Sequence, residues 1–259
     1  MYEAKSIAAT GLRNQQARID AIANNVANVN TVAYKAARLD FKDALYTVGL
    51  NPSWPRSPEE NQQKGHGVMI SAIGKEFARP GNMERTEIPL DFAIEGEGFF
   101  SLSDPNGEMI YTRNGRFSLS VEYDGTYLVN GEGLYVLDTN GNRILMPFGT
   151  ESIEADVDGT IRFMRGNEEL GRSEFGIYTF RNLFGLETSG NGNYTATPAA
   201  GERFVAPNVT IRQGILEASN VNLAEEMTRL IRTQRAFQLA SRALTTADEM
   251  EGIANNMRR

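Results

Sequence analysis

Glu95 and Glu97 stand two residues apart in a stretch of strand character, a spacing that puts both side chains on one face. A carboxylate pair could serve glycoside cleavage, but these two read as solvated surface. Gly96-Glu97-Gly98-Phe99-Phe100 lacks the third glycine and the βαβ setting of a dinucleotide fingerprint, which leaves strand and bulge. Gly74-Lys75 is followed by Glu76 where a phosphate loop needs Ser or Thr. Asp156-Val157-Asp158-Gly159 opens like a calcium loop, yet position six is not Gly and position twelve is Asn167, so a hairpin turn is expected. Cysteine is absent and His66 is the sole histidine, which removes thiolate nucleophiles, disulfides, Cys/His zinc sites and paired-histidine metal sites. His66, between two glycines, reads as a loop residue. No catalytic, cofactor-binding or metal-ligating residues are therefore expected among them.

The elements that would position any site follow from composition and spacing. The 259 residues allow one large domain or two modest ones, and 23% charged with 41% hydrophobic residues is a globular mixture. With 26 Lys and Arg against 33 Asp and Glu the net charge is −7, so counterion release offers nothing on nucleic acid, which is not expected as a partner. No stretch reaches the roughly 18 apolar residues of a membrane helix, so no membrane insertion is expected. The start Met1-Tyr2-Glu3-Ala4-Lys5-Ser6 lacks the pattern of a secretory signal, which predicts a cytoplasmic chain or export by a signal-less route.

Ala8, Leu12, Gln15, Ile19, Ile22, Val26 and Val29 alternate spacings of four and three, a heptad seam that predicts a helix over 8–29. The spacing returns at Leu223, Met227, Leu230, Gln234, Phe237, Ser241 and Leu244, with Asn222 as N-cap and Glu225 three residues later. No Pro interrupts Leu223 to Arg259, so this helix could reach about 50 Å. Between the two helices recur Asn106-Gly107, Asn114-Gly115, Asp124-Gly125, Asn130-Gly131, Asn140-Gly141 and Asp158-Gly159, the turn dipeptides of hairpins. They predict an antiparallel β domain, and the lack of helix-length crossovers disfavours parallel α/β architecture. Residues 51–67 are polar with three prolines, an extended arm in which Trp54, between Pro52 and Pro55, is expected to contact a neighbouring subunit.

Both seams are partly polar, and Asn24, Asn25 and Asn28 lie off the first one, where short amides are weak helix formers. Further apolar residues, Ile231 among them, stand away from the second seam. Such helices suit either a bundle with several neighbours drawn from many chains, or an ordinary two-helix cap on the β domain.

Particular residues narrow this. Ala23-Asn24-Asn25-Val26-Ala27-Asn28-Val29-Asn30-Thr31-Val32-Ala33-Tyr34-Lys35 resembles the N-terminal signature of the bacterial flagellar rod and hook proteins. Leu216-Glu217-Ala218-Ser219-Asn220-Val221-Asn222, with Glu226-Met227, Ile231 and Gln234-Arg235-Ala236-Phe237, resembles the C-terminal one. Leu90-Asp91-Phe92-Ala93-Ile94-Glu95-Gly96-Glu97-Gly98-Phe99-Phe100 and Tyr111-Thr112-Arg113-Asn114-Gly115-Arg116-Phe117 resemble the start of the family's β domain. Ala33 replaces a glycine common in the family, which predicts a regular turn or a local conformation unlike the family's.

The resemblance implies a structural subunit of the flagellar basal body, exported through the flagellar type III apparatus and self-assembling into a helical tube that carries torque. Size and the segment from Tyr46 to Gly67 favour a distal-rod subunit over proximal-rod or hook relatives. A self-contained β-domain binding module or hydrolase is the alternative of another class. Implied partners are further copies of the chain, other rod proteins, the hook protein and the export apparatus. The fold expected is mixed, mainly β: a discontinuous, coiled-coil-like helical domain from 1–50 and 206–259, a connector over 51–89, and the β domain over 90–205. Subunit contacts are expected at Leu12, Ile19, Ile22, Asn24, Asn25, Val26, Asn28, Trp54, Leu223, Met227, Leu230, Ile231, Gln234, Arg235, Phe237 and Leu244.

Overall fold

Hydrophobic seams at both termini fold as helices, α1 over Tyr2–Ala27 and α2 over Leu223–Met257, and antiparallel strands fill the sequence between them. The computed structural model describes residues 2–43, 46–48, 63–65 and 68–257. Trp54, His66 and most of the proline-bearing arm lie outside the described residues. The chain forms two compact units. One comprises Met1–Ala27, Ala37–Lys75 and Asn222–Arg259, the other Asn28–Ala36 and Glu76–Val221.

In the helical unit α1 packs along α2 and against an antiparallel ribbon of Ala37–Asp43 and Val68–Lys75. α1 stops at Ala27, short of the expected Val29, because Asn28 turns the chain: its carbonyl accepts from Thr31 N at 3.1 Å and its side chain from Thr31 Oγ1 at 3.2 Å. Asn222 caps α2 as expected, its Oδ1 accepting from Ala224 N at 3.1 Å and Glu225 N at 3.3 Å. The buried line of α2 is rotated from the heptad reading. Glu226 and Thr233 are buried, Leu230, Phe237 and Leu244 half-buried, and Leu223, Met227 and Gln234 exposed. The inward polar residues are hydrogen-bonded, Thr233 to Arg229 O and Glu226 to Arg38 and Asn25, which removes the penalty that would otherwise turn them outward.

In the β unit every strand pairing is antiparallel. Hairpins close at Asn106-Gly107 between Phe99–Ser103 and Met109–Thr112, at Asp124-Gly125 between Phe117–Val121 and Thr126–Asn130, and at Asp158-Gly159 between Ser152–Ala155 and Thr160–Arg165. The core gathers Phe92, Phe100, Phe117 and Phe175, with edge-on ring pairs at 5.0–5.2 Å between centroids. A second cluster holds Phe99, Tyr111, Tyr178, Phe180 and Tyr194.

The unit boundaries differ from the sequence reading. Met83–Arg85, expected in the connector, pairs with Ile215–Glu217, and Thr210–Gln213, expected in the helical domain, pairs with Phe92–Glu95. Neither pairing uses a short hairpin, so no turn dipeptide marks it. Conversely, the strand Val68–Lys75, expected in the connector, belongs with the helices. Gly107, Gly141 and Gly159 take the positive φ of tight turns, but Gly115 does not: a Cβ there would lie 1.8 Å from the Phe92 carbonyl oxygen. Its requirement is close backbone approach. G115A is expected to lower stability by at least about 2 kcal/mol in urea titration, because the Phe92 backbone has to move.

Candidate assembly site

The residues of the two terminal signatures meet inside each unit. In the helical unit Asn25, buried near the end of α1, donates from Nδ2 to Ala37 O at 3.0 Å and to Glu226 Oε2 at 3.2 Å, and its Oδ1 accepts from Ala37 N at 2.8 Å. Arg38 Nη1 donates to Glu226 Oε1 at 2.6 Å. One amide and one carboxylate thus tie α1, the ribbon and α2 together.

In the β unit the carboxylate of Glu217, 1% exposed, receives Lys35 Nζ at 2.7 Å and Gly81 N at 2.8 Å on Oε1, and Arg113 Nε at 2.8 Å on Oε2. The Arg113 guanidinium also donates to the carbonyls of Ile94, Gly96 and Gly98. Asn220 completes the joint: Oδ1 accepts from Ala36 N at 2.7 Å, and Nδ2 donates to the carbonyls of Glu76 and Arg79. Burial would raise the Glu217 carboxyl, but the charges of Arg113 and Lys35 overcome it and hold that carboxyl below its ordinary range. Burial, with Arg113 nearby, pulls the Lys35 ammonium down.

Ala33 is fully buried at φ +56° and donates its N–H to Glu217 O at 2.7 Å. Tyr34 N donates to Thr31 O across this turn, in which Ala33 holds a place that favours glycine. Ala33 thus holds a left-handed conformation without glycine, which rules out the regular turn of the two alternatives expected, at a cost of roughly 1–2 kcal/mol.

The residues expected at subunit contacts are sorted by exposure. Ile22 and Asn25 are buried within the helical unit, while Leu12, Ile19, Val26, Leu230, Phe237 and Leu244 are half-buried. Asn24, Leu223, Met227, Ile231, Gln234 and Arg235 are exposed. Asn28, half-buried, belongs to the β unit, and Trp54 lies outside the described residues. Glu95 is exposed and paired with Arg212 at 2.6 Å. Among the described residues no group of three His, Cys, Asp or Glu is placed to hold a metal, and no helix is long and apolar enough to cross a membrane.

Sequence reasoning assigned no role to Lys35, Arg38, Arg113, Glu217, Asn220 or Glu226. Their signal was a charge or amide set among small and apolar residues, as in Thr-Val-Ala-Tyr-Lys and Leu-Glu-Ala-Ser-Asn-Val.

Three family models match the chain along its length: "Flagella basal body rod protein" over residues 6–35, "Flagellar hook protein FlgE/F/G D1 domain" over 93–163, and "Flagellar basal body rod FlgEFG protein C-terminal" over 212–257. The flagellar basal-body rod protein FlgG of Borreliella burgdorferi is 35% identical over 272 aligned residues that span all of both chains. The chain belongs to the flagellar basal-body rod protein family. Proteins named FlgG from Agrobacterium fabrum and Bacillus subtilis are 35% and 33% identical, covering 97% and 96% of this chain and 98% and 97% of their own. A flagellar hook-basal body complex protein, FlhP of Bacillus subtilis, is 30% identical over the whole of both chains. The two terminal rod models contain both ends of the buried ties, Asn25 with Glu226 and Lys35 with Glu217.

E217Q is expected to cost about 3–5 kcal/mol in urea titration, because it leaves Lys35 and Arg113 buried against a neutral partner. Since the folded carboxyl titrates below its unfolded value, its contribution is complete above the ordinary carboxylate range and is lost as pH falls through the folded pKa. The acid limb of stability against pH should therefore be shallower in E217Q. A33V, which puts a β-branched residue at positive φ and adds two methyls at a fully buried position, is expected to lower stability by about 2–3 kcal/mol in the same titration.

Proposed function

We propose that this chain is a structural subunit of the distal part of the flagellar basal-body rod, self-assembling into the helical tube that carries torque from motor to hook. The observation that carries this reading is the match to FlgG proteins over essentially the full length of both chains. The family is structural, and the protein is not an enzyme; its place is the flagellar basal body.

The exposed apolar residues of α2 support a role in assembly. Leu223, Met227 and Ile231 recur at every fourth residue and are 45%, 41% and 52% exposed, and Leu239, Met250 and Ile253 are exposed further along. Apolar side chains at such spacing suit packing against helices of neighbouring subunits in a coiled-coil-like layer. The half-buried Leu12, Ile19, Val26, Leu230, Phe237 and Leu244, with the polar Asn24, Gln234 and Arg235, border the same layer, and Trp54 in the arm contacts a further neighbour. Ile22, Asn25 and Asn28 act from within, by fixing the helix end that the layer presents. The partners are copies of this chain, the adjoining rod proteins and the hook protein, reached after passage through the flagellar export apparatus.

M227D and I231D place charge on exposed positions, so the purified chain should keep its helical circular dichroism and unfold within about 0.5 kcal/mol of wild type. In cells lacking the native copy both should abolish swimming and be absent from isolated basal bodies by immunoblot. Wild-type swimming by both variants would contradict the assignment of these residues.

A further inference from the structure

The two units carry opposite net charge. The helical unit holds 14 Lys and Arg against 11 Asp and Glu, and the β unit 12 against 22, so +3 and −10 make up the chain's −7. Within the helical unit, positive charge converges on a groove of about 650 Å³ among α1, α2 and the strand Ala37–Asp43. Arg18, Arg38, Arg229 and Arg232 line it against one carboxylate, Asp40. Arg38 is engaged by Glu226, and Arg229 by Glu225. Arg18 stands over the Phe41 ring, 5.2 Å from its centroid, and the Arg232 side chain makes no hydrogen bond or ion pair among the described residues. In the groove wall the buried Gln15 Oε1 has no donor among the described residues.

Guanidinium groups in a groove call for carboxylates, and an orphaned acceptor calls for an N–H. A polypeptide segment bearing Asp or Glu supplies both. We propose that this groove receives a carboxylate-bearing segment from the β unit of a second copy of the chain. The proposal rests on the assembly reading above and adds to it a specific contact and its chemistry. Charge complementarity selects the occupant: each copy offers a groove of surplus arginine and a β unit with ten surplus carboxylates. Groove and occupant are different surfaces, so the contact is heterologous, the kind that repeats into an open helical stack wherever its rotation does not close a ring.

The test uses basal bodies isolated from cells whose only copy is the full-length R232K chain, which puts an amine in the groove and keeps its charge. A carbodiimide then joins amines to carboxylates at zero length, and peptides from the covalent dimer and monomer bands are compared by mass spectrometry. The expected product is a peptide joining position 232 to a carboxylate within 76–221, present in the dimer and absent from the monomer. In parallel, R232E should lower incorporation into basal bodies at least tenfold, and R242E, an exposed change outside the groove, should leave it unchanged. The proposal is overturned if position 232 is unlinked in the dimer, is linked to a different flagellar protein, or is linked equally in the monomer. A wild-type chain missing from basal bodies would instead bring down the assembly reading itself.

Discussion

Both oxygens of the Glu217 carboxylate are claimed from inside the β unit, by Lys35 and Gly81 on one side and Arg113 on the other, while its backbone carbonyl receives Ala33. Segments far apart in sequence therefore converge on one residue at the end of the strand Ile215–Glu217. A charge so buried is tolerated only when every lone pair has a partner, and loss of one partner leaves an uncompensated ion in low dielectric. This network fixes how residues 33–36 run past residues 79–81 and 217–220. Asn25 and Glu226 repeat the device in the helical unit, where an amide and a carboxylate set the end of α1 against the start of α2.

These ties change the meaning of the terminal signatures. Runs such as Asn-Asn-Val-Ala-Asn read naturally as contact surface, yet the structure spends Asn25 on its own helical unit, and Lys35 and Glu217 on the β unit. In the proposed assembly, the apolar surface on α2 and the arginine-lined groove are what meets neighbouring copies. Buried polar joints hold the subunit's geometry, and on this proposal weak exposed surfaces repeat from subunit to subunit. A repeated contact need not be strong singly when each subunit makes several, as in a helical array.

Much of the fold was legible. Heptad spacing marked both helices, Asn222 marked the cap of α2, and turn dipeptides marked the antiparallel hairpins, because each is written within a few neighbouring residues. The unread parts are long-range. Strand pairs such as Met83–Arg85 with Ile215–Glu217 depend on partners some 130 residues apart, and so left no local sign. The rotation of α2 was missed because Glu226 and Thr233 look like solvent-facing residues until Asn25, Arg38 and the Arg229 carbonyl are seen to satisfy them. Gly115 was read as a turn residue, although its need is space beside Phe92. At Ala33 the sequence pointed away from the left-handed turn that the Glu217 joint imposes.

Amide hydrogen exchange on the purified chain tests the central claim most directly, at Ala33, Ala36 and Gly81, whose N–H groups end on Glu217 or Asn220. If the buried network is the fixed joint of the subunit, these three amides exchange only through global opening of the β unit, as slowly as the strand Phe99–Ser103 in its core. Exchange at the rate of an unstructured chain, with the core strands still protected, would contradict it.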